Sequence, residues 1–136
     1  MRKIILGVLL LLGLSGIGWA ADAAQPAPGV VIQSSGDDAE FKRALVLASN
    51  MREVLKQTPF EIVVFGPNVK RLTAYSEEAP LIQKAQEAGI RVVACGRSLT
   101  AEKIEHSDLA PDITVVPFGA VHIVTRQSEG WRYLKP

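Results

Sequence analysis

The sequence predicts a three-layer α/β domain, a mainly parallel sheet with helices on both faces, and three observations carry that expectation. Short β-branched runs at residues 30–32, 60–65, 90–94 and 113–116 alternate with stretches whose apolar residues recur every three or four positions. Strands alternating with helices are the pattern of βα units. The run Ile90-Arg91-Val92-Val93-Ala94 is apolar on both alternating sides apart from Arg91, as a parallel strand covered from both faces requires. Turns such as Thr58-Pro59, Gly66-Pro67-Asn68 and Pro117-Phe118-Gly119 separate the segments.

The first strand runs into Gln33-Ser34-Ser35-Gly36-Asp37-Asp38, a polar turn able to cap a helix. From Asp38 to Gln57, the residues Phe41, Ala44, Leu45, Ala48, Met51 and Leu55 form one buried helical stripe. Pro59 ends it, because the residue before a proline is driven out of helical geometry. The second strand, 60–65, closes at Gly66-Pro67-Asn68. Residues 69–75 read as one short helical turn, and Ser76-Glu77-Glu78-Ala79-Pro80 has the acidic, capped composition of a helix start. Leu81, Ile82, Ala85 and Ala88 supply that helix's apolar face, with Gly89 placed to end it in left-handed geometry. The third strand, 90–94, leads to Cys95. A short helix is expected over 99–106 with Thr100 as its N-cap, broken by Ser107-Asp108-Leu109-Ala110-Pro111. The fourth strand, 113–116, a helix over 120–129 ended by Gly130, and a short strand over 131–134 complete the order.

The chain has 136 residues, with 15 Lys and Arg against 14 Asp and Glu. Basic Met1-Arg2-Lys3, an apolar run to Leu14 and small residues after Trp19 make a three-part secretory signal peptide. Cleavage after Ala20 or Ala23 fits, and Ala23 is preferred. The apolar run is shorter than the ~20 residues of a spanning helix, and no cysteine near the cleavage region offers a lipid attachment point. A periplasmic or secreted protein with no stable membrane anchor after cleavage is expected. Without residues 1–23 the chain keeps 113 residues, 13 basic and 13 acidic. That is the size of one domain, and its neutrality gives nucleic acid and anionic membranes no hold. Residues 24–29 read as a short linker and 30–136 as the single domain.

Cys95 is the only cysteine, so it has no internal disulfide partner. It stands at the carboxyl end of a core strand, where open α/β sheets usually place ligands and chemistry. A following helix and Arg97 can stabilise a thiolate there; equally, a buried cysteine can serve as a small hydrophobe. The loops holding Ser34, Ser35, Gly66 and Asn68 belong to the same sheet edge and, with Gly96, Arg97 and Ser98, frame a candidate small pocket. Neither loop has the spacing of a P-loop or dinucleotide fingerprint. Glu102, Glu105, His106 and Asp108 cluster without metal-ligand spacing, so no metal site and no cofactor are expected. His122 can partner Cys95 only if the fold joins them. No serine stands in a nucleophile elbow. Trp131 and Tyr133 either pack a subunit boundary or cover the edge of the core.

The segment Val93-Ala94-Cys95-Gly96-Arg97-Ser98-Leu99, the turn Phe65-Gly66-Pro67, the helix Ala44-Leu45-Val46-Leu47-Ala48-Ser49-Asn50 and the ending Gln127-Ser128-Glu129-Gly130-Trp131-Arg132-Tyr133-Leu134-Lys135-Pro136 together resemble the DsrE/DsrF-like (YchN-like) family over residues 29–136. The resemblance is to an exported member of the uncharacterised branch. It implies a three-layer domain that assembles into trimers or hexamers, in a group whose known members relay sulfur as a cysteine persulfide. Carried across, Cys95 is the sulfur acceptor, in a periplasmic sulfur-handling carrier, more than a turnover enzyme, with a sulfur donor or acceptor protein as partner. The alternative is a non-catalytic oligomeric module, binding a small ligand or a protein, with Cys95 buried. Thiol accessibility separates the two.

Overall fold

Residues 27–136 are described by the computed structural model. The expected signal peptide, with its two cleavage positions, lies outside the described residues, as does the start of the expected linker. Five strands, β1 (Val30–Ser34), β2 (Phe60–Val64), β3 (Ile90–Cys95), β4 (Thr114–Val116) and β5 (Arg132–Leu134), form an all-parallel sheet in the order β4-β3-β2-β1-β5. The register sets Val30 against Phe60 and Phe60 against Ile90, so the three central strands start level.

Helix α1 (Asp38–Val54), a 3₁₀ segment (Gly66–Leu72), α2 (Ala79–Glu87) and α3 (Gly96–Ala101) carry the chain from β1 to β4. Their apolar sides meet Ile32, Ile62, Val64, Val92 and Ala94 in the larger core, which holds Phe41, Leu45, Val69, Leu72, Ile82 and Leu99. Helix α4 (Gly119–Ser128) then returns across the sheet from β4 to β5. Crossovers between parallel strands are right-handed, so reversing the direction of travel puts α4 on the opposite face. There Val31, Val63, Val93 and Ile123 make a smaller core with Phe65, Val116 and Trp131. This face is thinly covered: α4 buries Gly119 and Ile123, while its Val121 and Val124 are 58% and 62% exposed.

The α/β architecture is the one expected, but several boundaries differ for identifiable reasons. Helix α1 stops at Val54, short of Gln57. Beyond it Arg52 donates to the carbonyls of Lys56, Thr58 (3.2 Å) and Ala88 (2.9 Å), which ties the connection into β2 and the end of α2 to the last turn of the helix. At its start Asp37 is the N-cap, accepting from the Glu40 N–H at 2.8 Å. The helix expected over 99–106 instead begins at Gly96, directly after β3, with Cys95 as its N-cap. Thr100 lies inside it, its hydroxyl donating back to the Gly96 carbonyl at 3.1 Å. Lys103, at a φ of 56°, ends that turn. His106–Asp108 forms a separate 3₁₀ turn in which Glu105 and Asp108 cap each other. Gly29 is already packed: a side chain there would meet the Pro59 carbonyl at 2.5 Å and the Trp131 ring at 2.6 Å.

Candidate functional site

Strand β3 hands its last residue, Cys95, straight to α3 as N-cap. From β3 the chain leaves toward α3 on the larger-core face, and from the neighbouring β4 toward α4 on the other. Adjacent strands whose connections depart to opposite faces open a crevice at their carboxyl ends, the usual ligand position of such sheets. Cys95 is paired in register with Val116 at that place. Its side chain shares a sheet face with Val93 by strand alternation, and therefore points to the side that α4 covers.

The start of α4 comes very close to the thiol. A Cβ placed on Gly119 would stand 3.1 Å from the Cys95 Cβ and 3.3 Å from both Phe65 and Val63, so glycine allows this close backbone approach without displacing its neighbours. Burial of the 4%-exposed Cys95 pushes its thiol pKa up, but the Ser98 hydroxyl and the backbone N–H groups of Gly119, Ser98 and Arg97 outweigh that and hold it below the ordinary value. Ser98 is itself oriented: its oxygen accepts from the Gly66 N–H at 2.9 Å, which leaves the hydroxyl proton for sulfur. Gly66 can donate there because its φ is +64°, left-handed geometry that costs other residues about 1–2 kcal/mol.

The remaining candidates divide. Gly96 packs against the end of β4, its would-be Cβ 3.2 Å from the Val116 carbonyl. The Arg97 backbone N–H donates to the Pro117 carbonyl at 3.3 Å, and its guanidinium lies over the Phe118 ring, 5.1 Å from the centroid. Ser34 and Asn68 are both buried and face each other, Asn68 Nδ2 donating to Ser34 Oγ at 3.0 Å. They pin the first loop to the second. Ser35 and Gly36 give their N–H groups to the Glu40 carboxylate at 2.6 and 2.9 Å, so an internal carboxylate fills that loop. Lys135 approaches the same carboxylate at 3.8 Å. His122 turns away from Cys95 to Glu61.

Glu61 was not singled out in the sequence, although a lone carboxylate inside Phe60-Glu61-Ile62-Val63-Val64 signals a buried charge that must find partners. It is 3% exposed and has them. Arg126 grips it with two nitrogens at 2.7 and 3.0 Å, His122 Nε2 lies at 2.7 Å and Arg91 donates at 2.8 Å. Burial pushes the Glu61 carboxyl up, yet Arg126, His122 and Arg91 together bring it down from 4.5 to about 2. Arg126 also reaches Glu129 at 2.7 Å and stacks on Trp131 at 4.6 Å. Trp131 thus belongs to the molecule's own packing, while Tyr133 bonds Gln33 at 2.6 Å on an exposed edge.

The DsrE/DsrF-like family matches residues 30–136, and the chain belongs to that family, which is linked in general to sulfur relay. Among solved structures it is similar to the protein of unknown function MTH1491 from Methanobacterium thermoautotrophicum, with 29% identity and a TM-score of 0.73, covering 79% of this chain and 96% of that one. It is also similar to the conserved protein of unknown function BT1422 from Bacteroides thetaiotaomicron, with 18% identity, a TM-score of 0.66 and coverage of 83% and 98%. The ychN protein from E. coli shares 13% identity at a TM-score of 0.67, over 78% of this chain and 97% of that one. No match was found among curated proteins.

Proposed function

We propose that this protein is an exported sulfur carrier in which the Cys95 thiolate takes up a sulfane sulfur and holds it as a persulfide. The observation that supports it is the placement of one thiol at the sheet's crevice, at the start of α3 and against the Gly119 backbone, where the Ser98 hydroxyl and neighbouring N–H groups hold its pKa below the ordinary value. Such donors stabilise the anionic sulfur both before transfer and in the persulfide anion after it. In the transfer the Cys95 thiolate attacks the outer sulfur of a donor persulfide. A bond forms between Cys95 Sγ and that outer sulfur, and the donor's sulfur–sulfur bond breaks. Its electron pair leaves on the donor's inner sulfur as a thiolate, and the proton stays on the transferred atom. The exchange is redox-neutral and returns to the start when a second thiolate draws the sulfur off.

Incubation with a sulfane-sulfur donor followed by intact-mass spectrometry tests the reading. Wild-type mature protein gains the mass of sulfur, and Cys95→Ser, with unchanged circular dichroism, does not; equal loading of the variant rejects it. The second reading, a binding module with an inert cysteine, draws on the low exposure of Cys95. It predicts no loading and a native thiol that alkylates no faster than a buried control. We further propose that the working form is a homo-oligomer, because Phe118, Val121 and Val124 expose apolar surface beside the site.

A further inference from the structure

Helix α4 has little apolar purchase on the sheet. Of its side chains only Ile123 is a buried apolar group, and Gly119 contributes backbone alone. Burying one aliphatic side chain gives about 2 kcal/mol, too little to fix how a ten-residue helix is rolled and seated. Its outward Val121 and Val124 offer no competing internal anchor. Three polar contacts do the fixing: both Arg126 nitrogens and His122 Nε2, at 2.7–3.0 Å from Glu61. Gly119, His122, Ile123 and Arg126 recur at three- and four-residue spacings and so share one helix face. A helix pinned at His122 and Arg126 has its first turn fixed over Val63 and Cys95.

We propose that Glu61 is a positioning residue for the Cys95 thiol: by seating α4 through His122 and Arg126 it holds the Gly119 backbone against Cys95. The inference rests on the thiolate reading of the site. Glu61 is set on β2 well away from the sulfur, and it acts through where it places the helix. The titratable and charged groups facing it are His122 and Arg126 from α4 and Arg91 from β3, with Glu129 behind Arg126. Arg91 provides an internal control, since it touches the same carboxylate from the sheet and leaves α4 alone. The tolerance is narrow, because the Gly119 backbone already sits so near Cys95 that an added Cβ would stand 3.1 Å from the Cys95 Cβ. Hydrogen bonds to sulfur weaken steeply as the donor withdraws or tilts.

The test is the pH profile of thiolate ultraviolet absorbance and of alkylation by iodoacetamide, on the mature protein. Glu61→Gln and Arg126→Met are expected to raise the apparent thiol pKa by about one unit and to slow alkylation at neutral pH about tenfold. Arg126→Lys restores part of the effect, and Arg91→Gln leaves the profile at wild type. Folded Glu61→Gln and Arg126→Met proteins with a wild-type profile overturn the proposal, as does an equal shift in Arg91→Gln. If Glu61→Gln fails to fold, Arg126→Met and His122→Gln decide by the same readout. A wild-type thiol that titrates at the ordinary value overturns the thiolate reading itself, a result distinct from a low wild-type value that the variants leave unmoved.

Discussion

The Ser98 hydroxyl has a partner on either side, accepting from Gly66 and facing the Cys95 sulfur, so its removal strips the thiolate of one donor without opening the core. Ser98→Ala is therefore expected to raise the thiol pKa and slow alkylation several-fold while stability changes by less than about 1 kcal/mol; an unchanged pH profile would refute that role. Gly119→Ala carries the opposite balance. Its new methyl meets Cys95, Phe65 and Val63 at once, and overpacking of this kind costs about 1–3 kcal/mol, to be read from urea denaturation. At this scale the sequence shows part of the site. Cys95, Gly96, Arg97 and Ser98 are adjacent and legible as a strand-to-helix junction. The assignment of Arg97's charge to Phe118 is not, because it depends on a residue from a distant turn. Gly119 is equally hidden: only the topology brings α4 back to β3.

The contact between β2 and α4 gives the molecule its main pH-sensitive bond. Glu61 has a folded pKa of about 2 against 4.5 unperturbed, so its contribution to stability is fully present above about pH 4.5 and is lost as pH falls toward 2. Denaturation measured across that window should show wild type losing more stability than Glu61→Gln, whose uncharged amide has no such titration. At neutral pH the substitution should cost about 2 kcal/mol, below the full penalty for breaking a buried pair because Arg126 remains partly hydrated. The carboxylate within an apolar strand is visible in the sequence, and so is the four-residue spacing of His122 and Arg126. Their meeting is not, since a helix over 120–129 has no sequence feature that says which sheet face it covers. Direction of travel across the sheet decides that, and it follows from strand order alone.

Among the described residues the two sheet faces are unequal, one under α1, α2 and α3 and the other under α4 alone. The proposed self-association through Phe118, Val121 and Val124 makes the mature protein larger than one chain in sedimentation. Val121→Asp with Val124→Asp should shift it to monomer, and a wild-type monomer at micromolar concentration would dispose of the idea. The alternation of strands and helices was legible because buried parallel strands need uninterrupted apolar runs and the helices between them need one apolar stripe. The element ends were less so: past Val54 the chain is held by Arg52 contacts to the following connection and to the end of α2, which no local spacing shows, and α3 starts early because β3 runs into it with no loop between.

Strand β1 lies between β2 and β5, with Val30 beside both Phe60 and Arg132. The second of these pairings spans nearly the whole domain, so its loop-closure entropy is met only after most of the polypeptide is available. Until then one edge of β1 is an open row of amides and carbonyls, and α4 has no strand to return to. Under the export proposed above, this late closure would keep the chain open until translocation is nearly over. It also means that the Gly119 backbone reaches Cys95 only once α4 has returned across the sheet toward β5.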